Sequence, residues 1–449
     1  MLLSKKAKEV FGIDSAGSDQ LSNWVNECVA AYQGTPCWVD SEEHIDTVVF
    51  AKAICSEVAR LVMLGIGIHT GKSARAVWLQ EQIDRVYYEI RKWVEYGCAY
   101  GTIILKPNNG QVDVYVPSEF EITSSHDGII DGVIFHNWKK IEKKWYTLLE
   151  YHRFDGNHYL ISNRCFIGNS KDDTKKPVDI ANSPWAGIES EESLSNIKQP
   201  LFGVFRTPGA NNIDIGSPYG LPVFSEAMQE LRDLDIAYSR NAKEILDSKR
   251  TVLLDSDRML PGNKKKNQNG SVVLPDFVKM VDSTGGLESD VYHEINPQLN
   301  TDVRISGINA LLSQIGYKTG FSNGHFVFNE QSGIQTATGV EANQQRTIQF
   351  IKDCRDALEN CLHGLIYGLN SMADLYNWAP GGSYELAFDF GDITYNREED
   401  RAAWWNYVVN GKVPAWRFFV KFEGMTEDEA KAMVAEATTK QPSLFGIEE

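Results

Sequence analysis

A chain of 449 residues with 42% hydrophobic and 23% charged residues reads as an ordinary globular protein with room for about two or three domains. Its formal net charge of −17 argues against a protein that grips nucleic acid over its whole surface, which needs clustered lysine and arginine, but not against one that lets DNA slide past. The start, MLLSKKAKEV, has no apolar core, so no signal peptide is expected, and the greasiest stretch, 45–68, carries Asp46, Lys52, Glu57 and Arg60, too many charges for a membrane span.

The spacing predicts helices over 18–33, 44–64 and 73–97. In the last of these Val77, Ile83, Val86, Tyr87, Ile90 and Val94 recur at helical intervals, with Ser73 as the expected cap and Gly97 at the exit. From 101 the period changes to short strand-like runs ending near 167. They are punctuated by Pro107–Gly110, His126-Asp-Gly128 and Asp155-Gly-Asn157, so an antiparallel meander is expected. Residues 168–215, rich in polar residues and proline, read as loop. A helix over 221–250, with Pro222 near its start, would run about 45 Å at 1.5 Å per residue. It carries Asp233, Asp235 and Glu244 beside Arg232, Arg240 and Lys243, the pattern of an amphipathic helix that faces another subunit.

Over 251–300 the helical pattern breaks. TVLL and SVVL strands flank DRMLPGNKKKNQNG, and VYHEINP closes the excursion. A second helix is expected at 301–320, a glycine-bearing loop at 321–337 and a third helix at 338–378, opened by a capping box of Thr338 and Glu341. Ile351, Cys354, Leu358, Cys361, Leu365, Met372 and Leu375 repeat along it with a near-heptad period broken at Gly368, which means helix packing. A strand at 383–390 and helices at 396–410, 413–423 and 426–437 complete the reading, the last capped by Thr426 with Glu429. The fold class is α+β.

The candidate chemistry is thin. Gly71-Lys72-Ser73 lacks the first glycine of a phosphate-binding loop, since position 66 is Ile, and is placed between two helices, so Ser73 reads as a cap. Asp389-Phe390-Gly391 has no kinase catalytic loop or lysine strand before it and reads as a strand ending in a turn. The histidines show no compact ligand spacing; His152 and His158 flank a turn and suit facing hairpin positions better than a metal. The seven cysteines, at 28, 37, 55, 98, 165, 354 and 361, form no CxxC pair and read as reduced thiols of a cytosolic product. No catalytic constellation, metal or cofactor is expected. Lys264, Lys265 and Lys266 form the one notable basic run, a solvated tip or a contact for phosphates or an acidic partner. The tail, Gln441 to Phe445, faintly matches a short clamp-docking motif.

The order of helix, strand-rich excursion, helix, glycine-bearing loop and long helix resembles the portal proteins of tailed bacteriophages, particularly the branch common in phages of Gram-positive hosts. The resemblance rests on Asn309-Ala-Leu-Leu312 with Gly316 to Gly320, on Gln335-Thr-Ala-Thr-Gly-Val-Glu341 with the IKDCRDALENCLHGLI that follows, on the three N-terminal helices, and on the PSEFEI…EYHRF…YLISNRCF meander. It spans nearly the whole chain, carried by the ordered set and by no single diagnostic motif.

It implies a wing over 1–215 with part of 338–378, a stem helix in 216–250 paired with 301–320, a clip at 251–300, a tunnel loop at 321–337 and a crown at 379–449. It also implies a homo-oligomeric ring, usually of twelve in the virion, that passes double-stranded DNA. The partners would be the terminase large subunit, head–tail connector proteins, and the major capsid and scaffolding proteins, at a capsid vertex assembled in the host cytoplasm.

On 301–320, Ile305, Ile308, Leu312 and Ile315 form an apolar stripe. Asp302, Ser306, Asn309, Ser313 and Tyr317 form a nearly uncharged one, expected to face the channel. In the loop, Phe326, Val327 and Phe328 either pack on neighbouring helices or form an apolar constriction, with Asn323, His325, Asn329 and Gln331 as polar tips. The competing readings are a packaging or nucleic-acid-processing enzyme, a carbohydrate- or host-surface-binding β protein built on Trp138 and Trp145, and a shorter connector-type ring component, which the length disfavours.

Overall fold

In this computed structural model the described residues are 6–248, 251–255, 278–281, 292–295, 300–327, 337–391, 397–423 and 425–439. Helices α1 (Lys6–Phe11), α2 (Asp19–Tyr32) and α3 (Phe50–Val62) lead to a short strand β1 (Gly67–His69) and the long α4 (Ala74–Tyr100). Strands β2 (Thr102–Asn108), β3 (Gln111–Tyr115), β4 (Phe120–His126), β5 (Ile129–Ile141), β6 (Lys144–Asp155) and β7 (His158–Gly168) follow, then β8 (Pro177–Val178), β9 (Glu191–Ser195) and β10 (Gly203–Arg206). Helix α5 (Met228–Asp247) precedes β11 (Thr251–Asp255), β12 (Val278–Val281) and β13 (Tyr292–Ile295). After these come α6 (Thr301–Lys318), α7 (Ala337–Leu375) and β14 (Ala387–Asp389). Contacts divide the chain at Asp389, and the second unit holds α8 (Arg397–Val409), α9 (Ala415–Glu423) and α10 (Glu427–Thr439).

The α+β class holds, and the meander is antiparallel as its turns require. Asn109-Gly110 and Asp127-Gly128 both take positive φ at the two central positions, the twist that a two-residue hairpin needs. The meander is divided between two sheets. β10-β2-β3 forms one, and β4-β5-β6-β7-β8 the other, with β9 on β7. Three strands, β8, β9 and β10, therefore emerge from 168–215, where loop was expected. They are short edge strands, and their pairing with β7 and β2 is long-range, which local composition does not report. The excursion pairs β11 in parallel with β12 and antiparallel with β13. The expected SVVL strand, the run Lys264–Lys266, Phe328, Asn329, Gln331 and the tail 441–449 lie outside the described residues.

Several helix ends differ from the reading, each for a tertiary reason. Ser73 caps α4 as expected and Ser18 caps α2, their hydroxyls accepting from Ala76 N and Leu21 N. The first turn of the 44–64 helix is absent, because Val49 is left-handed (φ 53°) and the Val48 N–H donates to the buried Asp235 carboxylate at 2.9 Å. α4 passes through Gly97 and ends at Gly101. Gly97 is small because a β-carbon there would lie 2.2 Å from the Phe205 ring. Gly101 ends the helix at φ 80°, its carbonyl accepting from Thr207 N at 3.0 Å. α5 begins at Met228 and spans about 30 Å, shorter than expected. The residues before it are held elsewhere, with Gly220 N on Thr102 Oγ1 and Val223 N on Cys98 O. α7 begins at Ala337, one residue before the cap expected at Thr338.

In the second unit the expected capping box on α10 is present. Thr426 N donates to Glu429 Oε2 at 3.0 Å, and Glu429 N to Thr426 Oγ1 at 3.4 Å. Trp405 packs on Phe418 and Trp404 on Phe422.

The first unit is built around α7, which touches α3, α4, β2 and β10. Ile351, Cys354, Leu358, Cys361 and Leu365 are buried along its seam. The break at Gly368 is itself a contact. A β-carbon there would sit 2.8 Å from Leu201 O, one on Gly364 2.7 Å from Phe202 O, and one on Gly203 1.9 Å from Cys361 O. β10 thus lies on α7 backbone to backbone.

Inside the larger sheet the Glu150 carboxylate takes the Lys106 ammonium at 2.5 Å and the His152 ring at 2.7 Å, and Tyr159 hydroxyl meets the other ring nitrogen at 2.9 Å. Burial lowers the pKa of His152. For Glu150, burial pushes up, but Lys106 and His152 together hold the carboxyl well below the usual range.

Two outcomes follow from this packing. Gly203→Ala should cost about 3 kcal/mol, the upper end of overpacking, in denaturant melts; an unchanged midpoint would refute the backbone contact. Both lowered pKa values give stability that is complete above the unfolded values, about 6.5 for the imidazole, and that fades as pH falls through the folded ones. Unfolding free energy should therefore decline from pH 6.5 to 5, and His152→Gln, which cannot titrate, should flatten that stretch of the curve.

Candidate functional site

α5 and α6 form an antiparallel pair whose two ends carry ion pairs, Glu244 with Arg304 and Glu230 with Lys318 (2.6 Å). The apolar stripe of α6 seals one face, with Ile308, Leu312 and Ile315 buried and Ile305 half-buried. Asp235 anchors α5 from the other side, accepting from Trp38 Nε1 at 2.8 Å and from Val48 N. Away from these contacts the pair shows apolar side chains to solvent: Ile245, Leu246 at 66% and Val303 at 74% exposure.

The polar stripe of α6 lies as follows. Asp302 and Ser306 are exposed, the Ser306 hydroxyl donating to Asp302 O at 2.9 Å; Asn309 and Ser313 are half-buried; Tyr317 is 63% exposed. One feature was missed by sequence reasoning. The Arg346 guanidinium of α7 sits 4.0 Å from the centre of the Tyr317 ring and donates to Tyr317 O at 2.7 Å. A fixed cation therefore closes the end of a stripe that reads as nearly uncharged from α6 alone. No spacing links residues 317 and 346.

The loop after α6 is rooted firmly. Gly320 turns at φ 86° and passes the Phe350 ring so closely that a β-carbon would lie 2.6 Å from it. Ser322 and Thr347 are buried against each other, with Ser322 N donating to Thr347 Oγ1 at 2.8 Å and Thr347 N to Ser322 Oγ at 3.3 Å. Beyond this root Phe326 packs on Phe50 and Phe321, and Val327 is half-buried. His325 stacks on Phe321 at 4.6 Å and meets Glu57 at 3.2 Å, while Asn323 is exposed. Arg60, aided by His325 and opposed by burial, lowers the pKa of Glu57. Among the polar tips that are described, Asn323 reaches solvent and His325 is tied back to α3.

The remaining motifs resolve structurally. The Ser73 hydroxyl donates to Ser383 O at 2.6 Å besides capping α4, and a strand, β1, lies in the segment between the two helices that was read as a turn; the first glycine is still missing. Asp389 ends β14, paired with Gly67. His152 and His158 do not face each other, since their partners across β6 and β7 are Ile161 and Asp155. Six of the seven thiols are buried and Cys37 is exposed. Among the described residues no side-chain group is placed to hold a metal ion, and no helix is long and apolar enough to cross a membrane.

Lys264–Lys266 is not the one basic run of consequence. Lys139-Lys-Ile-Glu-Lys-Lys144 and Lys171-Asp-Asp-Thr-Lys-Lys176 are also basic runs, and folding sets them side by side, because Trp138 Nε1 and Thr147 Oγ1 both donate to the carbonyl of Lys171, at 3.0 and 2.9 Å. Counting lysines run by run would have found each, but not their meeting.

No protein-family model and no curated protein matches this chain.

Thr347→Val removes the Oγ1 that accepts from Ser322 N, at nearly constant volume, and strands the buried Ser322 N–H while the backbone Thr347 N–H keeps its bond to Ser322 Oγ. A cost of about 1–3 kcal/mol is expected, seen as lost hydrogen-exchange protection at the Ser322 amide; unchanged protection would show that the root is held by other contacts.

Proposed function

We propose that this chain is one subunit of a ring-forming portal of a tailed bacteriophage, a conduit for DNA at a capsid vertex and a docking platform for the packaging motor and the head–tail connector. The observation that carries the reading is the antiparallel α5–α6 pair. Its helices bracket a strand excursion and expose Leu246 and Val303, faces that the described residues leave uncovered. Copies arranged head to tail in a closed ring would cover such faces without leaving a free end. The resemblance in element order from 1 to 378 supports the same arrangement, with α6 and the loop after it turned towards the axis.

In that arrangement the chemistry of α6 suits passage over capture. Each cationic contact with a phosphate adds to a salt-dependent hold, and the contacts multiply around a ring. Serine, asparagine and tyrosine along the polar stripe hold a duplex weakly, and Arg346 is restrained by stacking on Tyr317.

Negative-stain images of the purified protein should show closed rings with a central hole; a species that stays monomeric at every concentration overturns the proposal. In a packaging assay Asn309→Lys should slow DNA entry, and wild-type speed would refute the weak-contact account of α6. Deleting 323–333 should disturb packaging or DNA retention while rings still form; loss of the ring would assign the loop to packing.

A further inference from the structure

The distal half of the β5–β6 hairpin and the 171–176 segment form a basic and aromatic surface on an otherwise acidic protein. The two runs supply seven lysines against three acids, Glu142, Asp172 and Asp173. All the lysines are exposed, and Asp172 is already engaged by Lys6 at 3.5 Å.

The juxtaposition is built in. The Lys171 carbonyl also accepts from Lys6 Nζ at 3.3 Å, and a β-carbon on Gly168 would lie 2.4 Å from Asp173, so the second run can approach β7 only at glycine. Three tryptophans are interleaved with the charges. Lys171 Nζ lies 5.0 Å from the ring of Trp138, Lys139 Nζ 5.0 Å from Trp185, and Lys140 Nζ 5.5 Å from Trp145. Beside them opens a cleft of about 440 Å³, lined by Asn108, Asn109, Gln111 and Asn137 with Trp138 and Trp185. Its acid, Asp113, is occupied by the Asn108 amide at 2.6 Å.

We propose that this surface binds single-stranded nucleic acid, a site separate from the α5–α6 pair and independent of the ring. The lysine runs provide the charge complementarity for a chain of phosphates. The tryptophans supply faces on which unpaired bases stack, and the amides can meet base edges that a duplex hides. An acidic polypeptide would satisfy the lysines but leave the amide-lined cleft and the rings without a matching group. On binding, each lysine moves from the ring it covers to a phosphate, and the freed face takes a base.

The test uses the full chain and a fluorescent oligothymidylate of about 20 nucleotides, in the range of single-strand site sizes, with a duplex of equal length and polyglutamate as competitors. Oligothymidylate should bind at low salt and quench tryptophan emission, and neither competitor should displace it at equal charge. Lys139→Ala/Lys140→Ala/Lys171→Ala should weaken binding more than tenfold and reduce the slope of log affinity on log salt by about 2, at about 0.7 per lost contact.

Trp185→Phe preserves packing on Leu148 and Ile180 and should lose part of the quenching with the salt slope unchanged. Absence of oligothymidylate binding, equal competition by polyglutamate, equal binding of the duplex, or a triple variant that binds like wild type would each overturn the proposal. Ring formation, scored by negative stain, should be the same in all these variants, so a failure here is distinct from a failure of the ring.

Discussion

The first unit depends on a single close approach, the seating of β10 directly on the backbone of α7. Gly203, Gly364 and Gly368 leave no side chain between them, and the neighbouring carbonyls of Cys361, Leu201 and Phe202 occupy the space a methyl would need. Once α7 is seated there, its other contacts are determined. Arg355 reaches the end of α3 and donates to Leu61 O, Val62 O and Leu64 O, satisfying carbonyls that a helix terminus leaves bare. At the far end Arg75, from the first turn of α4, donates to Ala379 O, Pro380 O and Asn370 O and pairs with Asp374 at 2.5 Å. Near the start of α7, Thr347 and Phe350 hold the root of the loop that follows α6. The placement of the candidate site is thus inherited from a contact far from it.

What was legible in the sequence was local. Ser73 and Thr426 announce helix starts because a hydroxyl needs only its own next turn to cap. Asn109-Gly110 and Asp127-Gly128 announce hairpins because the turn is decided by two φ angles. The buried seam of α7 follows from its period. What was not legible required a partner distant in sequence. Gly97 and Gly101 are both plausible exits for α4, and only Phe205 and the 207–220 segment, packed on them, distinguish the two. Strands β9 and β10 are too short for a period, and the start of α5 is delayed by hydrogen bonds to Thr102 and Cys98. The apolar stripe of α6 was readable, whereas Arg346 over Tyr317 joins residues on two helices with a loop between them.

The charges are unevenly shared. A chain with a net charge of −17 keeps a dense group of lysines on one hairpin and an arginine at the end of α6, while the described ion pairs of α5 and α6 neutralise themselves. At physiological salt, charges farther apart than about 8 Å scarcely sense one another, so each basic feature acts on its own neighbourhood and is little affected by the acidic total.

Buried Arg75 and Arg355 and buried His152 set a division that net charge conceals. A guanidinium keeps its proton at any pH a protein survives, and the backbone carbonyls that Arg75 and Arg355 hold cannot take one up, so those carbonyl contacts do not depend on a titrating acceptor. The interior of the larger sheet, where His152 leans on Glu150, does. Mild acidification would therefore act first on the strands around His152, while the carbonyl contacts of the helical clamp persist.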